Sequence, residues 1–291
     1  MPDPPIEVTK RTFRIELLRS IPIGILETLL GTFAVLFVLR AFQAPDDTEK
    51  IWLLGSSQLG LVASLFVVPL TLRLHVPLPW KIALFSALST LCLIVAAAVN
   101  DSLAVFTMAN CTAYLIIMMQ VPLLTQLYQE NFPVANRGFL FGLTSITRGL
   151  ASVCFAILAG LALDANIENY RILLWIFAGC SALATAMLFF IPARPVPEPR
   201  GAVPLFHSLR WVRKDPAFCR LLVSWMFMGI GNLVAIKLWV EYLGNARFGL
   251  NYSEIRIAIL TVAIPFSLKL ITTFFWGRLF DRVNFYLLRL I

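Results

Sequence analysis

The sequence predicts an all-α, polytopic transmembrane helix bundle, and three observations carry that prediction. Hydrophobic residues make up 59% of the 291 residues and charged residues only 14%, against roughly 25% charged in a typical soluble domain. Phe alone occurs 23 times, and the mean hydropathy is +0.82. Apolar runs long enough to cross a bilayer recur without the strict alternation of a β-barrel strand. So few charges cannot cover a water-facing surface, which excludes both a soluble fold and a disordered chain.

A helix needs ~20 largely apolar residues to cross the hydrocarbon core. Eight stretches qualify, at residues 20–42, 51–72, 81–99, 102–128, 138–163, 171–192, 218–243 and 254–276. Pro22, Pro69, Pro122 and Pro265 fall inside them. A membrane helix tolerates proline where its neighbours satisfy the freed backbone groups. The first stretch is too long for a signal peptide, contains Glu27 and lacks an A-x-A site.

Lys and Arg set the expected orientation. Sixteen lie at the N-terminus, in the alternate loops on its side, in the 193–217 segment with Arg220 just after it, and beyond span 8. Five lie on the opposite side, interspersed with Asp46, Asp47, Glu49, Asp101, Asp164 and Glu168. The N-terminus and residues 193–217 are therefore expected in the cytosol, with the chain in a cell membrane of the bacterial inner-membrane kind. The net charge of +8 follows this topology, so no nucleic-acid partner is expected. Membrane lipid is.

The expected organisation is a cytoplasmic tail at 1–19, a six-span half at 20–192, a linker at 193–217 and a second half beginning at 218–291. The linker is Pro-rich and basic, and Pro204–Lys214 fits a short amphipathic helix on the inner surface. After Arg282 the sequence VNFYLLRLI reads as the opening of a ninth span, and the expectation is a chain truncated inside that helix.

Two loop motifs carry a family resemblance. Gly277-Arg278-Leu279-Phe280-Asp281-Arg282, after span 8, resembles the G-x-x-x-D-(R/K)-x-G-(R/K)-(R/K) signature of the major facilitator superfamily. Glycine there allows close helix approach, and Asp281 can accept N–H bonds at the next helix start. Asn284, Phe285 and Tyr286 depart from the rest of the pattern, and the first-half counterpart at residues 72–77 lacks its glycine and aspartate. Between spans 4 and 5, Glu130-Asn131-Phe132-Pro133-Val134-Ala135-Asn136-Arg137-Gly138 resembles the E-x-x-P-x-x-x-R-G loop of sugar-porter-like members. Span 5 lacks the G-P-x-x-G-G pattern of the drug/proton antiporters. The resemblance implies a two-halved secondary transporter. Gly277, Asp281, Arg282, Pro133, Arg137 and Gly138 would lie in its conformational latch loops, with the first-half latch weakened or altered.

Charges inside spans are functional candidates, because burying one costs several kcal/mol. Glu27 in span 1, Gln120 in span 4, Arg148 in span 5 and Lys269 in span 8 fall at one depth, roughly 10–15 Å above the inner boundary at ~1.5 Å per residue. They are the expected solute and ion site. Two positive charges against one negative favour an anionic solute, with Glu27 as a proton carrier in symport. The alternatives stay open: Glu27 with Arg148 as a structural ion pair, Lys269 snorkelling to the interface, and a neutral, sugar-type solute. Lys237 and Glu241, one turn apart near the outer end of span 7, read as an interfacial pair.

His75 and His207 stand alone in loops, and the five cysteines include no C-x-x-C pair. Trp52, Trp80, Trp175, Trp211, Trp239 and Trp276 fall near span ends, as an interfacial belt does. Gly138-x-x-x-Gly142 reads as a helix-packing motif. There is no H-E-x-x-H, no G-x-S-x-G and no nucleotide-binding loop, so neither an enzyme nor a cofactor is expected. A non-transporting membrane module remains the third reading.

Overall fold

A computed structural model describes residues 4–43, 48–72, 74–193, 214–248 and 250–272. Eight helices run through them: α1 (Ile6–Arg40), α2 (Thr48–Leu72), α3 (Leu78–Ala98), α4 (Leu103–Asn131), α5 (Arg137–Ala165), α6 (Tyr170–Leu188), α7 (Pro216–Gly244) and α8 (Glu254–Thr272). Seven of them, all but α7, are long and apolar enough over their described residues to cross a membrane. In α7 the apolar stretch measured that way is Pro216–Gly229. The result is an all-α, multi-pass bundle, as composition requires.

Local chemistry explains most helix ends. Asp215 caps α7, accepting bonds from the N–H groups of Ala217 and Phe218, and Ser102 caps α4 by accepting from Val105. Pro79 stands in the first turn of α3, where a missing N–H does no harm. Within α4 the helix breaks at Gln120 (φ −83°, ψ −11°), beside Pro122 in the first turn of its second segment. That break turns the Gln120 side chain into the bundle.

Helix α1 begins at Ile6, well before the expected span start at residue 20. Its early turns carry charge, and Thr12, Glu16 and Arg19 among them are buried against the bundle. Hydropathy missed them because their charges neutralise one another inside the bundle.

Packing follows the apolar faces. Helix α1 lies against α5 and α6, α2 against α4, α3 against α4 and α6, and α8 against α5. An aromatic cluster of Phe33, Phe37, Phe106, Tyr170 and Phe177 packs α1, α4 and α6 together towards the end where α4 and α6 begin. Large apolar side chains such as Phe66, Leu84, Leu91, Leu158 and Ile172 face outward, as lipid contact demands of a spanning bundle. Helices α1 and α8 each contain one wide π turn, Leu29–Phe33 and Ile259–Ala263, and these meet through the hydroxyls of Thr32 and Thr261 at 3.0 Å.

The segment expected to form an amphipathic helix, the expected ninth span and the loop residues Gly277, Asp281 and Arg282 lie outside the described residues.

Candidate functional site

Helices α1 and α5 touch at glycine. A Cβ on Gly24 would run into the Arg148 carbonyl, and Ser152 Oγ donates to the Gly24 carbonyl at 2.7 Å. One turn further along α1, Glu27 meets Arg148: Arg148 Nη1 donates to Glu27 Oε1 at 3.1 Å. Both side chains are part-buried. Arg148 meets Glu27 through Nη1, and its Nε is enclosed without a hydrogen-bond partner among the described residues. Such an N–H can join a carboxylate fork once the guanidinium turns it towards the cavity.

The pair looks into a cavity of about 660 Å³. Leu30 and Ser89 line its inner part, and Val134, Arg137 and Gly138 line it at the α4–α5 connection. Opposite the pair, Gln120 Oε1 accepts from Ser86 Oγ at 2.7 Å. Ser181 and Thr185 of α6 line the same side and share hydrogen bonds with Thr90. The cavity therefore has a charged wall from α1 and α5 and a hydroxyl-and-amide wall from α3, α4 and α6, with Ile23, Leu26, Ile117 and Leu124 between them.

A buried triad forms part of the lining. Arg19 donates through Nε to Glu16 Oε1 (2.9 Å) and through Nη2 to Glu16 Oε2 (3.1 Å), while Tyr128 OH donates to Glu16 Oε2 at 2.7 Å. Arg19 and Tyr128 line the cavity, and Glu16 stands behind them. Sequence reasoning assigned Arg19 to the cytosolic surface and passed over Glu16 and Tyr128. The i,i+3 spacing of Glu16 and Arg19 was the available signal. Tyr128 was beyond it, because its partner stands 112 residues away.

Of the four residues expected at one depth, Glu27, Gln120 and Arg148 line the cavity. Lys269 does not. It is exposed, with its ammonium 5.8 Å from the centre of the Phe266 ring, although its charge still acts on Glu27. With Lys269 outside, the lining carries three guanidiniums, Arg19, Arg137 and Arg148, against the single carboxylate of Glu27. Glu16 neutralises Arg19 from behind, so the surplus positive charge rests on Arg137 and Arg148.

Arg137 has a structural task as well. Its Nη2 donates to the carbonyls of Gln129 (2.8 Å) and Phe132 (3.1 Å), closing the C-terminal end of α4 where a cation is favoured. Pro133 opens the turn, its carbonyl accepting from Asn136, and Gly138 stands exposed in the first turn of α5. Among the described residues, a Cβ on Gly138 or on Gly142 would meet nothing within 4 Å, so no described helix packs closely on that pair.

Glu241, expected beside Lys237, is held by Lys50 of α2 at 2.8 Å. The Lys237 side chain lies outside the described residues. Among the described residues no group of three His, Cys, Asp or Glu is placed to hold a metal ion. No protein-family model matches this chain, and no curated protein matches it significantly in sequence.

Proposed function

We propose that this protein is a secondary transporter that moves a small organic anion by alternating access, and that the cavity beside Arg148 is its solute site. The observation that carries this reading is the buried, unpartnered Nε of Arg148 at a cavity whose lining is rich in guanidinium and poor in carboxylate. A solute carboxylate takes the Nε edge of Arg148 as the guanidinium turns into the cavity, and the hydroxyls and amide of Ser86, Gln120, Ser181 and Thr185 take its neutral polar groups. The resemblance of the α4–α5 connection and of Gly277–Arg282 to major facilitator loops supports the same class.

Glu27 supplies the coupling. A proton on its carboxyl cancels the charge that holds Arg148 Nη1, so the whole guanidinium becomes available to the solute. Loss of solute re-forms the pair and expels the proton. The cavity lining includes Arg137 and Gly138, on the side that the Lys/Arg bias assigns to the cytosol, which supports an inward-facing reading. A bacterial inner membrane suits that bias.

The test is uptake by the purified chain in proteoliposomes, with a panel of radiolabelled monocarboxylates, dicarboxylates and neutral sugars. Saturable carboxylate uptake that Arg148→Gln abolishes is the expected result. Glu27→Gln should keep exchange and lose accumulation on an imposed pH gradient. The hydroxyl-and-amide wall favours a second reading, a neutral sugar-like solute, with Glu27 and Arg148 satisfying each other. Sugar uptake indifferent to Arg148→Gln would select it. No uptake of any solute would leave the non-transporting module.

A further inference from the structure

Polar contacts tie helices together at both ends of the bundle. At the end bearing the N-terminus they include, among the described residues, Glu16 with Arg19 and Tyr128, Asn131 Nδ2 donating to Thr12 Oγ1 and the Pro192 carbonyl, and Arg137 on the end of α4. At the opposite end a set of them runs between the first six helices and α7–α8. Lys50 Nζ meets Glu241 at 2.8 Å, Arg40 Nε meets Glu254 at 3.3 Å, and Arg40 Nη2 donates to the Tyr252 carbonyl at 3.0 Å.

Asp164 adds a contact of another sort. Ser253, the residue before α8, makes no capping bond with its own side chain. Asp164, at the end of α5, does so instead, its Oδ1 accepting from the N–H groups of Glu254 (2.6 Å) and Ile255 (3.3 Å). Helix α8 is thus capped by a residue 90 positions earlier, in the other half of the bundle. Glycines permit the approach. A Cβ on Gly160 would come within 2.8 Å of Ile255 Cα, and one on Gly244 within 2.8 Å of Leu39.

From this we infer that Arg40, Lys50 and Asp164, with Glu241 and Glu254, form an ionic gate that holds this end of the bundle shut, with Asp164 acting as a helix cap in trans. The inference rests on the alternating-access reading. A solute leaving towards this end must part α5 from α8 and α2 from α7. That movement breaks both ion pairs and uncaps α8 in one step, which makes the closed state a discrete one rather than a continuum. Opening hydrates Arg40, Lys50, Glu241 and Glu254, which the closed bundle partly or largely buries, so solvent takes over partners that the closed bundle supplied.

Leu30, inside the cavity, reports the state when replaced by cysteine. The full chain carrying Leu30→Cys, in sealed vesicles of both orientations, is treated with a membrane-impermeant maleimide, and the peptide containing residue 30 is quantified by mass spectrometry. The parent should label from the N-terminal side and hardly from the other. Asp164→Ala and Lys50→Gln should each raise labelling from the gated side about tenfold, a one-decade shift between two states. The charge exchange Lys50→Glu with Glu241→Lys should return it to the parent level. Equal labelling of the parent from both sides overturns the gate, and so does no rise in either single variant. If a single variant fails to insert, a Lys50→Cys, Glu241→Cys pair joined by a short bis-maleimide decides instead. Joined protein should be closed to label on the gated side and unchanged on the other, and solute movement through joined protein overturns the gate. Correct labelling in a protein that moves no solute leaves the gate standing and removes the transport reading.

Discussion

Ser152 of α5 donates its hydroxyl to the carbonyl of Gly24 in α1 at 2.7 Å, and this bond sets the register in which Glu27 faces Arg148. The Ser152 hydroxyl is also within 3.0 Å of the Arg148 carbonyl, so one side chain ties the turn that carries Arg148 to the turn below Glu27. Helix contact through a small residue and a hydroxyl is a packing mode that needs no hydrophobic driving force, which lipid does not supply.

Gly24→Leu is therefore expected to separate α1 from α5 and to destabilise the detergent-solubilised protein by about 1–3 kcal/mol, the usual range for overpacking. Ser152→Ala should cost about 1 kcal/mol, the worth of one hydrogen bond. Chemical denaturation of the two variants beside the parent checks the order. A Gly24→Leu protein as stable as the parent would show that the helices do not meet there.

Glu16→Gln is expected to be the most damaging single change near the cavity. It leaves the buried Arg19 guanidinium without its counter-charge, and breaking a buried pair from one side costs about 3–5 kcal/mol. Tyr128→Phe removes one donor from the same carboxylate and should cost about 1–3 kcal/mol. The same denaturation measurement decides, and Glu16→Gln with parental stability would mean that water reaches the triad.

Arg137→Ala should fray the end of α4, because the carbonyls of Gln129 and Phe132 lose their common donor. The expected sign is faster hydrogen exchange at residues 128–132, with the amides of α3 unchanged. Arg137→Lys should restore the charge near the helix end and recover only part of the protection, since an ammonium lacks the guanidinium's fixed fork. Full protection in Arg137→Ala would remove the capping role.

The orientation inferred from the Lys/Arg bias makes a direct prediction. Val134 in the α4–α5 connection and Asp101 before α4 are both exposed, at opposite ends of the bundle. An impermeant thiol reagent added outside intact cells should reach a cysteine replacing Asp101 and miss one replacing Val134. The reverse pattern would invert the topology and exchange the faces assigned to the cavity and the gate.

Hydropathy and charge by themselves determined the class of this protein: an all-α, multi-pass bundle with its helices close to where the apolar runs stand. Those properties are local, since a run of ~20 apolar residues has few other places to go. Depth along a helix is local too, and Glu27, Gln120 and Arg148, expected at one height, line one cavity. Rotation about a helix axis and the choice of partner are not local. Lys269 is expected at that height, yet it is absent from the cavity lining, and Glu241 is held by Lys50 from another helix. Only the tertiary structure drew residues 6–19 into α1, because the burial of Glu16 and Arg19 depends on Tyr128, 112 residues from Glu16. It alone placed Asp164 as the cap of α8. A cap supplied from another helix leaves no spacing in the sequence to be read. Periodicity reports what one helix does to its own faces, whereas a contact between helices exists only once both have been packed.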